Sequence, residues 1–197
     1  MNNKICLIVG AILVIIIASV LYIIITGNQW RKEVSVTSSI SITTEESLTQ
    51  TNMKIASSAF ENNAQIPSKY TCDAENINPP LEISEIPEGT VSLALLVDDP
   101  DAPAGDWVHW LVWNIPPSTE SIAEGSAPQG VEGTTDFGKT EWGGPCPPSG
   151  THRYFFKLYA LDTELDLPET AKKVDLLNAM DGHVLEQVEI VGLYQRQ

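Results

Sequence analysis

The chain has 197 residues, 26 of them acidic and 11 basic, for a formal charge of −15. That charge argues against a nucleic-acid partner, because a phosphate backbone would be repelled. Three cysteines are too few for a disulfide scaffold, no Cys/His pair has zinc-finger spacing, and 13 Pro and 13 Gly are too scattered for a low-complexity chain.

The N-terminus carries an attachment. From Ile5 to Ile25 the sequence reads ICLIVGAILVIIIASVLYIII, 21 residues without a charge. A helix needs roughly 20 such residues to cross a bilayer core. The run is apolar on every face, which argues against a buried core helix. It is also longer than the apolar stretch of a cleaved signal, the nearer rival. Residues 1–30 are therefore read as a single-span membrane anchor. The positive-inside rule barely chooses between Lys4 and the Arg31-Lys32 pair. Residues 31–52 are rich in Ser and Thr and read as a flexible tether, a segment that commonly sits outside the membrane. The expected location is the cell membrane, with the domain on the extracellular side. As a coil the tether would span roughly 25–30 Å, enough to reach the bilayer surface.

A soluble domain is expected over 53–197. The first 52 residues hold three basic and three acidic side chains, so the domain keeps the whole net charge. Val91–Asp98 is a continuous apolar run suited to a central strand. Asp106–Ile115 and His152–Leu161 are rich in aromatic and β-branched residues, and Val188–Tyr194 reads as a last strand. Pro/Gly clusters separate them. Glu169–Asp181 has spaced apolar positions at Val174, Leu176, Leu177 and Met180, with Gly182 after it as a helix stop. Strands dominate and helix comes late. The fold class is mainly β, an antiparallel two-sheet β-sandwich with small C-terminal helical additions.

Two clusters carry unusual chemistry. The first is Asp98-Asp99-Pro100-Asp101-Ala102-Pro103, followed by Trp107-Val108-His109-Trp110. The second is Gly143-Gly144-Pro145-Cys146-Pro147-Pro148-Ser149-Gly150-Thr151-His152-Arg153-Tyr154. Strand side chains alternate, so His152 and Tyr154 share a face and Arg153 points away. Arg153 is expected to pair with a carboxylate. The tryptophans and phenylalanines of these strands are expected to be packing.

At these residues the chain resembles the phosphatidylethanolamine-binding protein family, in its prokaryotic Raf kinase inhibitor-like branch. The matching stretches are YTCDAENINPPLEI, LALLVDDPDAPAGDWVHWLVWNIP, DFGKTEWGGPCPPSGTHRYFFKLYALD and MDGHVLEQVEIVGLY, which cover nearly all of 53–194. The resemblance implies two antiparallel sheets and a shallow pocket for a small anion or phospholipid headgroup. It places that pocket at Asp99, with Asp101 beside it, and at Pro103, His109, Cys146, Pro148, His152 and Tyr154. The proline at the Pro103 position is often cis in the family. Animal members have Gly where Cys146 stands, an insertion where this chain has only Ala104-Gly105-Asp106, and a second histidine where Val108 stands.

A phosphate needs donors, and carboxylates near His109 or His152 would favour imidazolium, so raised histidine values are expected. No catalytic residue, metal or cofactor is assigned: there is no G-x-S-x-G elbow and no third metal ligand at fixed spacing. The expected function is a membrane-tethered, non-enzymatic binding module. The alternatives are an inhibitor of a partner kinase or protease, and a hydrolase using the His/Asp cluster with Cys146 or Ser149. Cys72 and Cys146 would form a disulfide if their loops meet at the pocket mouth, and are otherwise two free thiols. His183 is left unassigned.

Overall fold

The structure, a computed structural model, describes residues 53–196. The expected membrane span and tether lie outside the described residues. Among the described residues, no helix is long and apolar enough to cross a membrane.

Among the described residues, nine strands form two sheets. The large sheet has the order β2 (Ala64–Gln65), β9 (Val184–Tyr194), β8 (His152–Leu161), β4 (Ser92–Asp99), β5 (Trp107–Ile115), β7 (Val131–Glu132). The small sheet has the order β1 (Lys54–Ala56), β3 (Leu81–Ser84), β6 (Ser121–Ile122). All pairings are antiparallel except that of β2 with β9.

The large sheet is covered on both faces, which explains why β4 is buried at every position. Leu93, Leu95 and Val97 face one way, into a core shared with Ile55, Leu81, Ile83 and Ile122 of the small sheet. Ala94 and Leu96 face the other way, toward helix α1 (Lys173–Met180). A strand with two apolar faces has no alternation to show, so it reads as a continuous run.

Helix α1 is shorter than the sequence suggests. The Lys172 N–H is accepted by Asp175 at 2.9 Å, which starts the helix there. Of the four apolar positions only Leu176 and Met180 are buried; Val174 and Leu177 are exposed. Gly182 has φ +78° just past the end, the left-handed stop its position suggests. Strand β9 starts at Val184, earlier than its apolar run. Its first half is held by pairing with β8 rather than by burial.

The segment after β4 makes a turn in which the Gly105 N–H donates to the Ala102 carbonyl at 2.9 Å. Pro103 is then the second residue of the turn, where trans proline is the natural form. No cis peptide bond occurs among the described residues, which corrects the expectation for Pro103.

Candidate functional site

Asp99 and His109 come from β4 and β5, and their meeting depends on an irregularity in that pair. Val97 opposes Trp110, but Asp98 opposes Val108. His109 is therefore the extra residue of a β-bulge. Bulges re-aim side chains. Trp110 packs in the core under the small sheet and Val108 in the core under α1. His109 joins Trp110's side of the sheet, where its ring meets the edge of Tyr154 with centroids 5.1 Å apart. Strict alternation would have separated His109 from Trp110.

On β8, His152 and Tyr154 are buried and Arg153 is exposed, as the alternation predicts. His152 Nδ1 lies 2.7 Å from Asp99 Oδ2, both side chains nearly inaccessible. A carboxylate accepts, so Nδ1 carries the proton. His109 Nδ1 lies 2.5 Å from the Gly143 carbonyl and donates to it. The Gly143 N–H returns a bond to the His109 carbonyl at 3.0 Å. A side chain on Gly143 would collide with the Phe137 ring, so only glycine lets this loop lie so close.

Together these groups floor a cavity of about 360 Å³. Asp99, His109 and His152 supply its polar lining, and Pro103, Trp107, Phe137, Cys146 and Pro148 are among its apolar walls. No Lys or Arg is among its lining residues. Of the eight residues singled out from the sequence, six line the cavity. Asp101 turns outward and takes Arg153 in a two-pronged contact, Nε to Oδ2 at 2.8 Å and a terminal N–H to Oδ1 at 2.7 Å. The guanidinium holds the Asp101 carboxyl low, at about 2. Tyr154 lies behind His109. Its hydroxyl is buried and makes no hydrogen bond of ordinary geometry within the protein. Burial, the neighbouring Asp99 charge and the approach of the hydroxyl to that carboxylate push its ionisation well above the usual phenol range, while the Cys146 backbone amide pulls the other way. The hydroxyl stays protonated.

Two wall residues do not stand out in the sequence. Trp107 has the pattern of a packing aromatic on a strand, and Phe137 sits in a loop without strand periodicity. Their rings meet edge to face at 5.5 Å in the cavity wall. Phe137 is held there because Asp136 and Gly138 are tied down on either side. Asp136 accepts the Val108 N–H at 2.8 Å and the Gly138 N–H donates to Thr135 at 3.0 Å. The only local signal is an aromatic beside Gly138.

The loops of Cys72 and Cys146 do meet, and the two sulfurs are bonded, with Cα atoms 5.4 Å apart. The bridge forms part of the cavity wall through Cys146. His183 stands apart, paired with Asp162 at 2.8 Å on the exposed surface.

The expectation of raised histidines fails for His109. Burial lowers it below 6.5, and the Gly143 carbonyl, Asp99, Asp98 and Asp136 offset this only in part. Between its folded value and 6.5 the unfolded chain holds a proton that the folded domain refuses. This contribution to stability is therefore complete above about pH 6.5 and is lost as pH falls through that value. Urea unfolding of wild type and His109→Gln at about pH 7.5 and 5.5 is the check. The variant should lose less stability on acidification. Equal losses would show that His109 does not set the slope.

The chain is similar to known proteins in sequence and in fold. The model of the family described as "Phosphatidylethanolamine-binding protein" matches residues 56–195. A protein of Methanothermobacter thermautotrophicus, described as "UPF0098 protein", is 51% identical over 150 residues, covering 73% of this chain and 99% of that protein. A solved structure from Chlamydia trachomatis, described as a putative phosphatidylethanolamine-binding protein homolog, superposes with a TM-score of 0.73 at 40% identity, covering 75% of this chain and 99% of that one. Escherichia coli YbcL, described as a new member of the mammalian family, gives 0.69 at 30% identity, with 74% and 99% covered. With its matched region, its two sheets and relatives aligned over nearly their whole length, the chain belongs to the phosphatidylethanolamine-binding protein family.

Proposed function

We propose that this chain is a non-enzymatic binding module whose cavity takes a small oxyanion, free or as a phospholipid headgroup. One observation carries this: the His109 and His152 imidazoles, groups able to donate to an oxyanion, converge in one cavity whose other walls are largely apolar. The apolar walls suit a headgroup that brings carbon with its charge. The family name, and the description of the Chlamydia homolog, agree with a phosphatidylethanolamine headgroup.

The 5–25 stretch would hold the module at a membrane with the domain on the outer side. The Cys72–Cys146 bond supports an oxidising compartment. It also leaves Cys146 without a thiolate, which favours binding over a Cys146-based hydrolase.

The test uses the full chain in detergent micelles, titrated with inorganic phosphate and phosphoethanolamine and followed by NMR. Shifts should cluster on Asp99, His109, Cys146, His152 and Tyr154. Shifts confined to other parts of the surface would refute the assignment. Tyr154→Phe should weaken binding roughly tenfold by removing a donor to a charged group. A variant that binds as well as wild type would show that the hydroxyl does not meet the ligand.

A further inference from the structure

Each histidine of the cavity has one ring nitrogen already committed. His109 Nδ1 donates to the Gly143 carbonyl and His152 Nδ1 to the Asp99 carboxylate. The polar atom that either ring has left for a ligand is Nε2. In a neutral imidazole protonated on Nδ1, Nε2 is a lone pair and accepts. Sulfate and phosphodiester oxygens also accept. The two cannot bond without a proton between them.

The surroundings supply little else. No Lys or Arg is among the lining residues. The neighbouring Arg153 is exposed and engaged by Asp101. The Tyr154 O–H lies near Asp99, and Tyr154 is not among the lining residues. The ligand's charge would sit beside Asp99, which is only 3% exposed. Like charges repel far more strongly in such a place than in bulk water.

We propose that a tetrahedral oxyanion enters this cavity together with one proton, which settles on Nε2 of His152 and turns the His152–Asp99 contact into an ion pair. The inference rests on the oxyanion reading above. It assigns the proton to His152 because that ring's Nδ1–H faces a carboxylate at 2.7 Å, whereas the Nδ1–H of His109 faces a neutral carbonyl. The groups facing His152 are Asp99 from β4, Asp101 from the following turn, Tyr154 on β8, and Tyr194 opposite it on β9. Tyr194 gives its hydroxyl to Asp73, at 2.7 Å. Around His109 stand Asp99 and Tyr154 on its own side of the sheet, with Asp136 and, from the opposite face of β4, Asp98 acting through their charge, and burial still opposes its charging. Once protonated, His152 donates from both nitrogens, to Asp99 and to the ligand. His152 thus serves as the site's proton-dependent donor in place of a fixed lysine or arginine.

Calorimetry of the full chain in buffers of different ionisation enthalpy counts the protons. The probes are sulfate, a free anion, and glycerophosphoethanolamine, a soluble lipid headgroup; neither has a group that titrates near neutrality. At about pH 7.5 binding should take up close to one proton, because Nε2 of His152 is a lone pair before the oxyanion enters and a donor after it. Affinity should then fall about tenfold for each further pH unit. Imidazole ¹⁵N spectra should show the proton arriving on His152 Nε2 while His109 Nε2 keeps its lone pair. Uptake with both probes identifies the shared oxyanion as the ligand chemistry, and uptake with the headgroup compound alone identifies a lipid source. Binding heat without proton uptake, or with the proton on His109, overturns the proposal and leaves the oxyanion reading standing. Absence of binding heat with both probes overturns the oxyanion reading itself.

Discussion

Replacing Asp98 by Ala should cost the domain about 3 kcal/mol, one of the two largest single losses expected. Asp98 is completely buried, on the face of β4 opposite Asp99. Lys157 contacts both of its oxygens at 2.8 Å, and Lys173 reaches one at 2.6 Å. Lys173 also contacts Asp106, at the end of the turn that carries Pro103. Burial lowers the Lys173 ammonium, but the bonds to Asp106 and Asp98 outweigh it and leave it raised. Removing Asp98 takes the carboxylate from Lys157 and leaves Lys173 with Asp106 alone, both ammonium groups being only 21% exposed. The net value of an intact buried ion cluster is small, whereas the cost of breaking one is large. Denaturant unfolding of Asp98→Ala measures that cost. The triple variant Asp98→Leu, Lys157→Met, Lys173→Met should recover most of it, because no charge is then stranded. A single variant within about 0.5 kcal/mol of wild type would show that solvent at the lysines already compensates.

Reducing the Cys72–Cys146 bond should destabilise the domain by about 4 kcal/mol and lower Tm by roughly 10–15 °C. The bond spans a sequence separation of 74, so it removes a large loop freedom from the unfolded chain. Two further contacts join the same segments. The Cys72 N–H donates to the Pro145 carbonyl at 3.1 Å, and the Gly144 N–H to Asn76 Oδ1 at 2.9 Å. The segments pass so closely that a side chain on Gly144 would meet Asn76 and the Tyr70 carbonyl. These contacts should keep the folded state intact, so the loss acts mainly through the unfolded chain. Thermal unfolding with and without a dithiol reductant, alongside the Cys72→Ser/Cys146→Ser double variant, gives the number. An unchanged Tm would mean the unfolded chain is held compact by something other than this bond.

The long strands could be read from the sequence because each is a local pattern of apolar and β-branched residues. β8 starts and ends where its composition says. The short strands β1, β2, β3, β6 and β7 could not, since two to four residues carry no period. Their extent is set by the neighbour they pair with. The chemistry-bearing residues were legible by type and spacing: Asp99, His109 and His152 are polar residues in apolar surroundings, and Tyr154 follows His152 by one strand period. What these residues do to one another was not legible. Asp101 and Asp99 are two residues apart, yet one leaves for Arg153 and the other stays with His152, and only the turn between them decides which. The bulge at His109 depends on how β4 and β5 slide past each other, a pairing that no local window contains. Burial of that ring then reverses the effect its carboxylate neighbours would have in water. The sequence by itself determined a mainly β domain, its family and most of the polar residues at its candidate site. The tertiary structure decided which nitrogens, oxygens and sulfurs are already taken. Hydrogen-bond partners and local dielectric are properties of the packed chain, not of residues along it.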